Sequence, residues 1–267
     1  MRHNTGNLGA RVGALARGKN LPLSFLGLAF YALVMIGAFA VRSAAGFGAV
    51  LIAVPMLAFI LPVPSAVAVA TALTALTSVR HISRDWRHIA GRQFAILAFY
   101  SIIGIELGFC FIKTLDETTL RRGLGAFLIL YSIYALWTSG APPVFSARWH
   151  ATLAAAAGIA GGFVGALFGG GVGPIYVIYF NALRLEREVF RVTLTTVALV
   201  GGATRIVGYA SLGIYGPPTL ALVAIGLPLM AIGSRLGDWL ALSLNPRVFG
   251  RFVGGLVLLS GLALLVR

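Results

Sequence analysis

The stretch GALFGGGVGPIYVIYF, Gly165 to Phe180, sets five glycines and a proline between apolar runs that otherwise have the character of lipid-buried helix. Its surroundings fix the solvent. The chain is 59% hydrophobic and only 10% charged over 267 residues, with a mean hydropathy of +0.94, whereas a soluble domain carries about 25% charged residues. Uncharged apolar runs of about 18 residues or more recur along its length, which no soluble fold requires. Transmembrane barrel strands would alternate over segments of about ten residues, and no such alternation is present. The sequence therefore predicts an all-α polytopic membrane protein, with the lipid bilayer as its surroundings.

The formal charge of +14 and pI of 11.2 do not point to nucleic acid, because the basic residues are spread over short loops rather than collected on one face. Membrane orientation explains them better, since Lys and Arg accumulate in cytoplasmic loops. The single cysteine, Cys110, sits in an apolar run and excludes an intrachain disulfide. The four histidines show no metal-ligand spacing, and no nucleotide-binding signature is present, so no cofactor is expected. Residues 1–20 carry Arg2, Arg11, Arg17 and Lys19 without an acid. The apolar run from Leu21 to Val41 is longer than the 7 to 15 residues of a signal peptide, which predicts an uncleaved first span with a cytoplasmic N-terminus.

Apolar segments run from Leu21 to Val41, Gly46 to Leu61, Pro64 to Val79, Gln93 to Ile112 and Leu124 to Trp137. After a linker at 139–150 the order repeats, with Ala151 to Leu167, the glycine stretch to Phe180, Val189 to Leu212, Thr219 to Leu242 and Phe249 to Val266. Residues 21–138 and 151–267 thus present as two homologous transmembrane halves. They align at an offset of about 121 to 123 residues, GFGAVLIAVPML opposite GGGVGPIYVIYF, although helices rich in small residues also resemble one another through packing alone. The second segment of each half is at or below the length of a span. Two re-entrant segments give about eight spans and two crossing ones about ten. The basic loop RHISRDWRHIAGR favours eight, which keeps it inside with the N-terminus.

Backbone that leaves the helix inside a bilayer must be satisfied by protein, water or ligand. Glycine tolerates that geometry, and a proline at 174 suits the first turn of a new helix. Each break thus predicts a half-helix whose free N–H groups favour an anion, from Gly46 and Gly48 in the first half and from Gly169, Gly170, Gly171, Gly173 and Pro174 in the second. Close helix packing is the alternative use of such glycines.

At this level the chain resembles the sulfite exporter TauE/SafE family, also called the toluene-sulfonate uptake permease family. The resemblance is carried by AAGFGAVLIAVPML ahead of PSAVAVATALTALTSV, and by GALFGGGVGPIYVIYFNALRLEREVFRVTLTTVALVGGATRIVGY. It covers nearly all of the chain from about residue 24. Ala49 and Val50 stand where the family pattern has glycines, and the second half lacks a proline equivalent to Pro55. The resemblance implies a cytoplasmic-membrane transporter of small anions, typically sulfite, sulfonates or sulfoacetate. The abundance of Ala, Gly and Arg over Lys suggests a bacterial source, and so a bacterial inner membrane.

Ionisable residues inside spans are costly and often functional. Arg42, ahead of the first break, and the deeper Arg205 are candidate anion-binding charges, with snorkelling to the interface the alternative for Arg42. Glu106 is a candidate for proton coupling or for an arginine's ion-pair partner. Thr71, Thr74, Thr193, Thr195 and Thr196 follow the two breaks and offer hydroxyls to substrate oxygens, or to their own helix carbonyls. Asn181 serves as a cap or a ligand. Arg235 and Asp238, three apart, suit a local ion pair, while Trp86, Trp149, Tyr215 and Trp239 suit the interfacial aromatic belt. A secondary transporter working by alternating access is the leading expectation, with no catalytic residues. A membrane-embedded enzyme, a channel or an accessory subunit are the alternatives. Nothing in the sequence specifies an oligomeric state.

Overall fold

The computed structural model describes residues 24–45, 48–137, 150–169, 175–176, 179–180, 183, 185–240 and 246–266. Gly46, Gly170, Gly171, Gly173, Pro174, Asn181, Trp149, residues 1–20 and most of the linker lie outside them. Among the described residues there are nine α-helices and no strand: α1 Phe25–Ala45, α2 Ala49–Leu57, α3 Val63–Asp85, α4 Gly91–Ile112, α5 Glu117–Trp137, α6 His150–Phe168, α7 Arg187–Ser211, α8 Pro217–Leu240 and α9 Pro246–Val266. A 3₁₀ turn, Trp86–His88, joins α3 to α4. Five helices, α1, α4, α6, α7 and α8, contain stretches long and apolar enough to cross a bilayer. Phe25, Leu33, Leu130, Val207 and Leu259 stand exposed on the outside. This is the surface of a multi-pass membrane protein, in which lipid replaces water as the outer solvent.

Backbone geometry marks the ends of these helices. Gly213, at φ 72°, follows α7, and the Ile214 amide donates back to the Tyr209 carbonyl at 3.0 Å, a glycine stop of Schellman type. Pro217 then opens α8, where its missing N–H costs nothing. Asp116 caps α5 by accepting from the Thr119 amide at 3.3 Å and hydroxyl at 2.5 Å. The hydroxyl bond is the main cause holding its carboxyl below the usual range.

Small residues bring the long helices together. A Cβ at Gly104 of α4 would overlap the Ile159 carbonyl of α6, and one at Gly108 would meet Ala166 at 2.6 Å and the Phe163 carbonyl at 3.0 Å. The same arrangement recurs between α8 and α1, where Gly233 faces the Ile36 carbonyl and Gly237 the Ala40 carbonyl. Such approach lets backbones pack without a side chain between them, which compensates for the lack of a hydrophobic drive inside lipid.

The register of contacts fixes helix directions. Increasing numbers on α4 meet increasing numbers on α6, and likewise for α8 with α1 and α4 with α7, so these pairs run parallel. Along α3, Ala68 meets Tyr215, Ala75 meets Gly202 and the following Ala90 meets Thr193. Numbers fall on α7 as they rise on α3, so α3 and α7 are antiparallel. The same holds for α5 and α9, where Gly125 touches Leu265 and Leu128 touches Gly261. Arg42 near the end of α1 reaches Ser78 near the end of α3. Helices α1 and α3 therefore point the same way, and α2 between them returns the chain. At nine residues α2 is only about 13 Å long.

Candidate functional site

Helices α3 and α7 cross at the centre of the bundle, and the polar residues on them sort by position along that crossing. Arg205 lies on α7 between Gly202, which packs on Ala75, and Tyr215, whose hydroxyl donates to the Ala68 carbonyl at 2.9 Å. Thr71 and Thr74 occupy the matching interval of α3, between Ala68 and Ala75. Arg205 is 4% exposed and Thr71 2%. Nε and Nη1 of Arg205 and the Oγ1 atoms of Thr71 and Thr74 are buried without a hydrogen-bond partner. Buried polar groups are nearly always paired, so these atoms are candidate ligand contacts; Arg205 Nη1 lies toward α4, 3.5 Å from where a Cβ at Gly201 would stand, with Ser101 Oγ 3.7 Å from the same point.

Three tyrosines lie near enough to the guanidinium to interact with it electrostatically. Tyr209, Tyr176 and Tyr215 are its electrostatic partners, and each is held from a different helix. The Tyr176 hydroxyl lies 2.6 Å from Ser101 Oγ of α4, Tyr209 donates to the Ala166 carbonyl of α6, and Tyr215 to the Ala68 carbonyl of α3. Phenol dipoles orient and partly stabilise a guanidinium but leave its full charge uncompensated. The arrangement therefore suits an anion.

Gly48 and Gly169 are the described residues of the two breaks. Gly48 takes φ 103°, a left-handed conformation suited to glycine, and caps α2 with no side-chain hydrogen bond. The first amides of α2 lack intrahelical partners by geometry, and Ala49 and Val50 are buried. Gly169, at φ 69°, ends α6, and a Cβ there would stand 2.8 Å from Val67 and 2.9 Å from Val50. Val67 precedes Ala68 on α3, and Ala166 lies one turn before Gly169 on α6. Gly169 thus packs the end of α6 against α2 and α3.

Other sequence candidates fall elsewhere. Thr193 Oγ1 accepts the Ala90 amide at 3.0 Å, Thr195 donates to the Arg191 carbonyl at 2.8 Å and Thr196 to the Val192 carbonyl at 2.8 Å. These hydroxyls are occupied near the start of α7. Arg42 binds Ser78 at 2.9 Å. Glu106 is exposed on the outer face of α4 and is not brought to Arg205. Asp238 accepts from Ser43 of α1 rather than from Arg235, so the local ion pair expected there does not form. Tyr215 is half-buried and bonded to α3 rather than displayed as an interfacial anchor. Sequence reasoning missed Tyr176, Tyr209 and Ser101. Only Tyr209, four residues after Arg205, carried a usable signal, the spacing of neighbours on one helix face.

Comparison with curated proteins and with solved structures gave no significant match. The family model described as Sulfite exporter TauE/SafE matches residues 30–264, most of the chain. By that match, the chain belongs to the TauE/SafE sulfite exporter family of membrane transporters.

Proposed function

We propose that this protein is a secondary transporter of small sulfur-containing oxyanions, such as sulfite, sulfonates or sulfoacetate, and that Arg205 is the charge that binds them. The observation that carries this reading is a guanidinium 4% exposed with two nitrogens unpartnered. Burial of an uncompensated charge costs several kcal/mol, and an oxyanion would supply both the counter-charge and acceptors for Nε and Nη1. Thr71 and Thr74 would donate to its remaining oxygens, and the free amides at the start of α2 would add partial positive charge.

We further propose ten passes, five per half, in place of the expected eight. An odd number per half inverts the halves, and the antiparallel pairings of α3 with α7 and α5 with α9 support that arrangement. Duplication is supported by matched contacts, because a step of 129 residues takes Gly104 and Gly108 to Gly233 and Gly237, while 123 takes their partners' counterparts Ile36 and Ala40 to Ile159 and Phe163. Inverted halves around a central site are the framework for alternating access. In this arrangement the N-terminus and the Arg80–Arg92 loop lie on opposite sides. The loop end also carries Arg42, Arg187, Arg191 and Arg235, so we place it in the cytoplasm of a bacterial cell and the start of α1 outside.

The test is thermal stabilisation of purified protein by sulfite, sulfate, thiosulfate, sulfoacetate and taurine, since a ligand of the folded state raises apparent stability. One sulfur oxyanion is expected to stabilise the wild type, with the effect lost in folded Arg205→Gln. Stabilisation that survives this substitution refutes the assignment of Arg205.

A further inference from the structure

Helix α3 carries Thr71, Thr74 and Ser78 at intervals of three and four, the spacing that aligns side chains along one helix face. Thr71 and Thr74 belong to the interval occupied by Arg205. At the other end of this row, Arg42 of α1 donates through Nη2 to Ser78 Oγ at 2.9 Å, and Ser78 donates onward to the Thr74 carbonyl at 3.0 Å. From Thr71 to Ser78 is about 10 Å along the helix. A row of hydroxyls on α3 therefore runs from the Arg42 contact at Ser78 toward the level at which α7 carries Arg205.

An arginine that only snorkelled would direct its head outward to lipid headgroups. Arg42 does the opposite, because Ser78, to which it reaches, is 1% exposed. Its neighbour Ser43 donates to Asp238 of α8, so adjacent side chains tie the end of α1 to both α3 and α8. That end of the bundle also carries Arg92 and Arg235, both exposed, and positive charge there raises the local concentration of anions.

We propose that Arg42 and Ser78 form a second, peripheral oxyanion station at the arginine-rich end, and that the Thr71–Thr74–Ser78 row carries the anion between it and Arg205. The ligand is a small oxyanion able to take a guanidinium and a hydroxyl together. Exchange of Ser78 for the anion at Arg42 would accompany its entry. This inference rests on the proposed anion site at Arg205.

The experiment measures uptake of ³⁵S-labelled sulfite under nitrogen in right-side-out and inside-out membrane vesicles, alongside binding of the same sulfite to purified protein. Wild type, Arg42→Gln, Ser78→Ala and Arg205→Gln are compared. Arg205→Gln is expected to abolish saturable binding. Arg42→Gln and Ser78→Ala are expected to raise KM at the arginine-rich face at least fivefold more than at the opposite face. Ser78→Ala provides the measurement if Arg42→Gln does not fold. Equal KM values at the two faces, whether changed or unchanged, would overturn the peripheral station while leaving Arg205 in place. Retained binding in Arg205→Gln would instead remove the central site and this inference with it.

Discussion

Arg205 illustrates how much of the proposed site a single residue announces. An arginine inside GGATRIVGY is conspicuous in an apolar run, and its cost in lipid alone makes it a functional candidate. The threonines are harder to separate by sequence, because a hydroxyl in a membrane helix usually bonds its own backbone. Thr195 and Thr196 do so, whereas Thr71 and Thr74 leave Oγ1 unpartnered. The two kinds should respond oppositely to a nearly isosteric change. Thr71→Val removes an orphaned hydroxyl, so the ligand-free protein should be as stable as wild type or more so, while oxyanion affinity falls about five- to tenfold. Thr193→Val strands the Ala90 amide and should cost about 1 kcal/mol of stability. Thermal denaturation with and without sulfite distinguishes them, and a destabilised Thr71→Val with full affinity would make that hydroxyl structural.

At the scale of elements, the helices themselves were legible from apolar run length, and the break after Phe168 from its glycines. The purposes of individual glycines were not, because identical residues serve turns, close approach or nothing in particular. Gly48, Gly169 and Gly213 supply left-handed backbone, Gly104 and Gly233 admit a neighbouring carbonyl, and Gly37 has nothing within 4 Å of where a Cβ would stand. Gly104→Leu or Gly233→Leu should therefore abolish monodisperse protein on size exclusion, since the obstruction is helix backbone that cannot rotate away. Gly37→Ala should raise stability by up to about 1 kcal/mol through helix propensity alone. If Gly104→Leu is tolerated with an unchanged melting temperature, the close crossing of α4 on α6 is wrong. Short α2 also shows the limit of length arguments. Nine residues are too few to span a bilayer, yet α1 and α3 run parallel on either side of it.

For the whole molecule, that parallel arrangement separates two statements the sequence joined. A cytoplasmic N-terminus and a cytoplasmic Arg80–Arg92 loop go together in eight spans, whereas in the proposed ten-pass arrangement the start of α1 and the end of α3 lie at opposite ends. Cys110 is the single native cysteine, so a Cys110→Ser background allows one reporter cysteine at Ser24 and, separately, at His88. A membrane-impermeant maleimide should label these from opposite sides of the membrane, and labelling from the same side would restore eight spans and parallel halves. The solvent, the helical class, the breaks and the candidate charges were determined by sequence alone, because each follows from local composition, run length or the price of one charged residue in lipid. The directions of the helices, the hydrogen bonds from three helices that hold Tyr176, Tyr209 and Tyr215 near Arg205, and the division of threonines into bonded and unbonded were decided by tertiary structure. These depend on which helices become neighbours, and small residues permit many neighbours while packing selects one.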